Sequence, residues 1–405
     1  MTNVTIFTHD SQEGSVEPEV LYERLERARL RTVQPFAKDR LELTSRVGSA
    51  IIKANVSPSI THFAFWIRAT ALHNLADSFA ARLPPRTHAR ARGLVFHLPP
   101  QNVETIFLYS WILSYLSGNA NVVRLPALLS PEMRAVCQLF LVSLEAHGDT
   151  SQLFVHYFSH SDISARICAR SDARVVWGGT AKIEAFAGVP LRNGGKSIWF
   201  GDRFSFSVVA GAAICALGLA ARDALAQKLF NDIYIFDQMA CSSPHILYVV
   251  GKQIECLPAV NALLAALSAV ARAKGAQHGT GHVIRKLVEA MSAAAVGDVT
   301  SIYWSTNELT SVVAANPNRV ETRVGGGYLR ICFIDSLDEL QSLIREHDQT
   351  ITYFGFSREI MAQTVAKQEG PGATRIAPVG AALEFDFIWD GYDIPFELTR
   401  LVRVD

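Results

Sequence analysis

Apolar residues recur at helical spacing through residues 18–91, then give way to short apolar runs separated by helical segments. Residues 21–36 (LYERLERARLRTVQPF) predict an amphipathic helix that stops near Pro35. Residues 62–83 (HFAFWIRATALHNLADSFAARL) predict another, ending before Pro84 and Pro85. From residue 93 the pattern predicts strands at 93–97 (GLVFH), 120–125 (ANVVRL), 153–157 and 174–177 (RVVW). Helices at 105–116, 131–146, 161–170 and 181–187 alternate with them. Strands and helices alternating at this spacing imply an α/β fold whose parallel sheet is covered on both faces.

Past residue 201 the pattern restarts. A helical stretch covers 212–236, a strand 245–251 (HILYVVG) and a helix 254–273; further strands fall at 301–304, 329–334 and 351–354. This is a second α/β unit, with the boundary near residues 208–211. The apolar run 208–221 reads as a buried helix rich in Ala and Gly, too short for the roughly 20 residues a bilayer span needs. The segment 381–405 is extended and apolar in places, as a piece that packs on another element or subunit would be.

Composition narrows the function classes. The chain has 405 residues, 49% of them hydrophobic and 19% charged, which suits two domains with large cores. Lys plus Arg balances Asp plus Glu at 38 each, so no nucleic-acid footprint is expected. The Arg-rich stretch 81–92 (ARLPPRTHARAR) reads as a solvated loop before a strand. The opening MTNVTIFTHD has neither the basic start nor the apolar core of a secretory signal, and a cytoplasmic protein is expected. Six cysteines (Cys137, Cys168, Cys215, Cys241, Cys256 and Cys332) are scattered without a CxxC pair. Neither a metal site nor a disulfide framework is expected, and at most one thiol should be special.

Four places could carry chemistry, and each admits a plainer reading. Cys241, in FDQMACSSP, is flanked by Ala240, Ser242 and Ser243, small enough to let a substrate reach its sulfur. It could equally be a buried structural thiol. Pro99, Pro100, Gln101 and Asn102 follow the 93–97 strand, where open α/β sheets bind ligands; Asn102 could instead only cap the next helix. Gly178, Gly179 and Thr180 join a strand to a helix whose N-terminus can take a pyrophosphate, with Thr180 able to cap. A plain turn explains them as well. Arg124 ends its strand as a cofactor contact or a surface charge. Asp202 and Arg203 read as a structural pair, and His245 as turned away from Cys241 at the start of its strand.

Taken in order, these segments resemble one family. Residues 93–127 (GLVFHLPPQNVETIFLYSWILSYLSGNANVVRLPA) are similar to the cofactor-domain signature of the aldehyde dehydrogenase superfamily. VVWGGTAKIEAFAG, GGKSIWFGDRFSFSVV, DQMACSSP and the ending WDGYDIPFELTRLVRV resemble its acyl-CoA reductase branch, the LuxC-like fatty-acid reductases of bacterial luminescence. The resemblance implies an aldehyde dehydrogenase-like fold: a nicotinamide-binding Rossmann-type domain with a helical N-terminal part over 1–209, and a catalytic thiol domain over 210–380. Residues 381–405 would be an extended segment serving oligomerisation.

The resemblance also implies roles. Cys241 would carry the acyl group, and Asn102 with the Cys241 backbone N–H would form the oxyanion hole. Pro99, Gly178, Gly179, Thr180 and Arg124 would line the cofactor. Arg124 stands where the superfamily usually has Lys, and the Glu that binds the ribose hydroxyls in many NAD-preferring members falls on Ala127; NADPH is therefore expected over NADH. The water-activating Glu of oxidative relatives falls on Arg192, before Gly194-Gly195-Lys196. The implied reaction is reduction of an acyl thioester, on coenzyme A or a carrier protein, to an aldehyde by a homo-oligomer, with an acyl-transferring partner protein as one source of the acyl group. A redox-silent acyl transferase or thioesterase using the same cysteine, and a non-catalytic scaffold, are the alternatives.

Overall fold

The structure, a computed structural model, describes residues 4–7, 13–100, 105–126, 129–158, 161–276, 279–304, 306–368 and 370–405. The chain forms two units, one of residues 1–201 with 385–405, the other of residues 202–384. The division falls at 201/202 where the sequence placed it at 209/210. Phe204–Ala210 is a strand of the second sheet, so its residues cannot end the first unit.

The sheet of the first unit runs Glu13–Val16, Val4–Phe7, Gln152–His156, Ala120–Arg124, Leu94–Leu98, Ala173–Trp177, Lys196–Phe200. The first two pairings are antiparallel and the rest parallel. Leu94–Leu98 and Ala173–Trp177 are buried along their whole length, as central parallel strands covered on both faces must be. Chain order reverses between these two strands, and such a switch point opens a crevice at the strands' carboxyl ends. The helix Ile106–Leu116 is apolar all round and buried from Phe107 to Leu116. Its Ser110 and Ser114 face a buried polar network. His97 contacts Ser110 Oγ at 3.2 Å and Asn121 Oδ1 at 2.9 Å, and Asn121 donates to Gln152 Oε1 at 2.8 Å.

Three local readings change. The 62–83 segment is two helices, Pro58–Trp66 and Ala69–Ala81. Between them Arg68 is extended at ψ 152°, and the wholly buried Ile67 packs against Gly48. The 21–36 helix is Pro18–Arg29 and ends before Pro35 because residues 31–35 are already non-helical. Within the Arg-rich stretch, Thr87–Ala91 is a strand that pairs antiparallel with Thr399–Arg403. The C-terminal segment therefore packs on its own chain. Phe387, Trp389, Ile394 and Leu398 are buried in one cluster with Tyr109 and Trp177.

The sheet of the second unit runs Val299–Trp304, Thr310–Ala314, Tyr328–Ile334, Ile246–Val250, Phe204–Ala210, Asp348–Phe354, Arg375–Pro378; only the first pairing is antiparallel. The run 208–221 is thus not one helix. Val208 and Val209 are β-branched and buried within the sheet; the chain then turns through Gly211–Cys215 and resumes as Leu219–Tyr234. Among the described residues one helix, Gln253–Ala273, is long and apolar enough to cross a membrane by length and composition. Its Val260, Leu263, Leu264 and Leu267 are buried in the core of the second unit.

Candidate functional site

In the first unit the expected cofactor residues cluster at the switch point. Pro99 follows Leu94–Leu98 and is buried; Gly178 follows Ala173–Trp177. Gly178 sits at φ +152°, and a Cβ there would come within 2.7 Å of Lys182 Cδ. The positive φ favours glycine, and the Lys182 side chain lies across it to reach the Leu98 and Pro99 carbonyls at 3.2 and 2.6 Å. Gly179, not Thr180, is the N-cap of the helix Thr180–Ala187, and no side chain caps it. Thr180 is the first helical residue and exposed. The uncapped helix start, with its N–H groups and positive dipole end at the strand termini, suits a pyrophosphate. Arg124 ends the neighbouring strand with its guanidinium 4.5 Å above the Tyr157 ring, donating to the Tyr157 carbonyl at 3.3 Å. Lys182 is a member of this cluster that sequence reasoning missed. Burial, and then the nearby Arg124 charge, pull its ammonium from 10.5 down to about 8. Asn102 and Ala127 lie outside the described residues.

In the second unit Cys241 is exposed on a turn between the helix Leu219–Tyr234 and the strand Ile246–Val250. Two buried side chains pin that turn. Ser205 Oγ donates to the Cys241 carbonyl at 2.6 Å and accepts from Thr350 N–H at 3.1 Å, and the Ser205 carbonyl accepts from His245 N–H at 3.1 Å. Gln238, three residues before the cysteine, is wholly buried at φ +61°. Its amide donates to the carbonyls of Pro244 and Tyr328, both at 2.8 Å, and accepts from the N–H of Gly327 and Tyr328 at 3.1 and 3.0 Å. The partner loop is Gly325, Gly326 and Gly327, all at positive φ. At Gly327 a Cβ would come within 2.3 Å of the Glu308 carbonyl. The buried Lys286 ammonium donates to the Gly326 and Asn307 carbonyls, both at 2.6 Å; burial lowers it to about 8. The glycine triplet ahead of a strand was the sequence signal for this clamp; nothing marked Ser205.

The remaining candidates do other work. His245 is buried with its ring 5.4 Å from that of Phe204; burial, then the Arg323 charge, lower it to about 4. It is a neutral imidazole at pH 7 and supplies no cation to a thiolate. Asp202 lies 3.9 Å from Arg323, and Arg203 donates to the Glu346 carbonyl at 3.3 Å. Arg192 lies 3.9 Å from both Asp172 and Glu26 and has no basic function to offer water. Among the described residues no group of three or more His, Cys, Asp or Glu could hold a metal ion.

Comparison with known proteins fits this arrangement. The family model for acyl-CoA reductase (LuxC) matches residues 72–404. No curated protein matches the chain. Among solved structures, an oxidoreductase from Marinobacter aquaeolei is similar at TM-score 0.66 and 12% identity, covering 100% of this chain and 94% of its own. An NAD-dependent benzaldehyde dehydrogenase from Corynebacterium glutamicum is similar at TM-score 0.62 and 14% identity, over 100% and 95%. A 1-pyrroline-5-carboxylate dehydrogenase from Thermus with bound NAD is similar at TM-score 0.65 and 12% identity, over 99% and 89%. The fold is that of the aldehyde dehydrogenases.

Proposed function

The chain belongs to the acyl-CoA reductase (LuxC) family of oxidoreductases, and from that premise we propose that it reduces an acyl thioester to an aldehyde with Cys241 as the acyl carrier and NADPH as reductant. The observation that carries the reading is the exposed Cys241 on a turn whose backbone is held by Ser205 and Gln238. A nucleophile held in place gains rate by orientation.

The Cys241 thiolate attacks the thioester carbonyl, and the charge on that oxygen is met by the Cys241 N–H and the Asn102 amide. The carrier thiol leaves and the acyl group stays on the sulfur. Arg192, in place of a general base, leaves the acyl-enzyme without a group to activate water, so it persists until reduced. NADPH, when bound, supplies the hydride that takes the acyl group to the aldehyde level; the thiohemiacetal on Cys241 then collapses to thiolate and aldehyde. Gly178, Gly179 and the start of Thr180–Ala187 would hold the pyrophosphate, with Pro99 beside it. Arg124, at the end of its strand, would meet the 2′-phosphate with its guanidinium. Coenzyme A or a carrier protein would present the acyl group, and the working form would be a cytoplasmic homo-oligomer.

Intact-protein mass spectrometry tests the reading. The protein is mixed with a panel of acyl-CoAs beside its Cys241→Ala variant, and NADPH is then added. An adduct that forms only on the natural chain and leaves as aldehyde on NADPH addition supports it. An adduct indifferent to NADPH would turn the assignment to acyl transfer, and no adduct from acyl-CoA or carrier-protein donors would turn it to a scaffold.

A further inference from the structure

A second pair of thiols stands apart from Cys241 in the same unit. Cys256, near the start of the helix Gln253–Ala273, is buried. Its sulfur is nested against backbone. A Cβ on Gly211 would lie 2.4 Å from Cys256 Sγ, and one on Gly251 3.0 Å from it. Gly211 begins the short helix Gly211–Cys215, and Cys215 ends it, one turn along the same face. Cys215 Sγ lies 3.8 Å from the carbonyl of Glu255, the residue before Cys256, which brings its thiol to the helix turn that carries Cys256. One thiol is exposed and the other enclosed.

The pair sits at the opposite end of the sheet from the Cys241 turn. Cys241 precedes the strand Ile246–Val250 and Gly251 follows it; five residues of strand separate the two ends by about 16 Å. Burial, and then the neighbouring Cys215, raise the Cys256 thiol, so it is not the group that meets an oxidant first. Cys215 is open to solvent.

We propose that Cys215 and Cys256 are a dithiol modification site that closes to a reversible disulfide under hydroperoxide. The Cys215 thiolate attacks the peroxide oxygen; the O–O bond breaks, Cys215 becomes a sulfenic acid, and the peroxide departs as water or an alcohol. Cys256 sulfur then attacks the Cys215 sulfur, the S–O bond breaks, and the hydroxyl leaves as water with the Cys256 proton. The two thiols lose two electrons and two protons, and the peroxide gains them. The disulfide ties Gly211–Cys215 to Gln253–Ala273, and a dithiol reductant reverses it. In a reducing compartment such a bond is transient, which suits a protective or sensing use.

The test exposes the full chain to hydrogen peroxide, measures the intact mass, and then blocks the remaining thiols of a second portion with an alkylating reagent for peptide masses. The expected product is lighter by about 2 Da, the loss of two hydrogens. It carries a linked Cys215–Cys256 peptide, and dithiothreitol returns it to the starting mass. Cys215→Ser, at an exposed position, and Cys256→Ser should each abolish the linked peptide, and Cys241→Ala should leave it unchanged. Alkylation of both Cys215 and Cys256 at full yield after peroxide, or a linked peptide involving any other cysteine, would overturn the proposal.

Discussion

The two candidate sites, one in each unit, are built by opposite means. In the first unit the crevice comes from topology. Strand order reverses between Leu94–Leu98 and Ala173–Trp177, and Pro99, Gly178 and Gly179 follow directly on the ends of these strands. In the second unit a reactive side chain is held by other side chains: Ser205 on the Cys241 carbonyl, Gln238 across to Gly327 and Tyr328, and Lys286 on Gly326. A site made by strand order survives many substitutions. A site made by buried amides and a cationic clamp is sensitive to each one, because every lost partner leaves a buried polar group unsatisfied.

The largest effect separates the halves outright. Cys241→Ala should lower aldehyde formation by on the order of 10³-fold or more, leaving NADPH affinity measured by fluorescence unchanged. A loss of cofactor affinity in that variant would mean the halves are not independent. Next comes Gln238→Leu, which strips partners from four buried backbone groups. It should cost on the order of 3 kcal/mol in urea unfolding, and Gln238→Glu should cost no less, because a carboxylate oxygen would then face the Pro244 and Tyr328 carbonyls. A loss below about 1 kcal/mol in either variant would remove the clamp from the argument.

In the first unit the matching change is milder. Lys182→Met should raise the KM for NADPH by roughly tenfold, about 1.4 kcal/mol, with kcat near its natural value. The natural enzyme carries a cationic Lys182 only below about pH 8. Its KM for NADPH should therefore rise as the pH climbs through that value, and the variant's should stay flat across the same range. Parallel pH profiles in the two proteins would exclude Lys182 from cofactor binding.

The same contrast explains what could be read in advance. The alternation of strands and helices over residues 93–187 was legible because each buried strand is bounded by turn residues; the helix Pro131–Ala146 matches the expected 131–146. The run 208–221 was misread because a strand buried on both faces and a buried helix are equally continuous in apolar residues; only Val208 and Val209 hinted at the strand. The break at Ile67 and Arg68 has no Gly or Pro to mark it; it is set by Ile67 packing on Gly48. Cys241, Gly178, Gly179 and Arg124 stood out as residue types at the ends of strands. Ser205 and Gln238 did not, since most of their partners lie between 36 and 145 positions away in the chain.

The smallest effect at neutral pH compares one histidine from each unit. His97 and His245 are both buried and both lowered from 6.5 to about 4, chiefly by burial. Each therefore folds neutral and binds its proton mainly in the unfolded chain. Their stabilising contributions are complete above pH 6.5 and are lost as the pH falls toward 4, up to about 3 kcal/mol each. They differ in their partners. His97 is bonded at both ring nitrogens, to Ser110 and Asn121, whereas Nδ1 of His245 has no partner among the described residues. His245→Phe removes an unsatisfied group and puts a phenyl ring in place of the imidazole beside Phe204; it should change stability at pH 7.5 by less than about 1 kcal/mol and flatten the acid limb of the stability curve. His97→Phe should flatten that limb too, but at a cost of about 1–3 kcal/mol at pH 7.5, because Asn121 loses a bond inside a sealed network. Urea unfolding of both variants at pH 7.5 and pH 5 separates the cases. If His97→Phe is as harmless as His245→Phe, the polar network of the first unit does not stabilise its sheet, and topology alone holds the crevice of that unit.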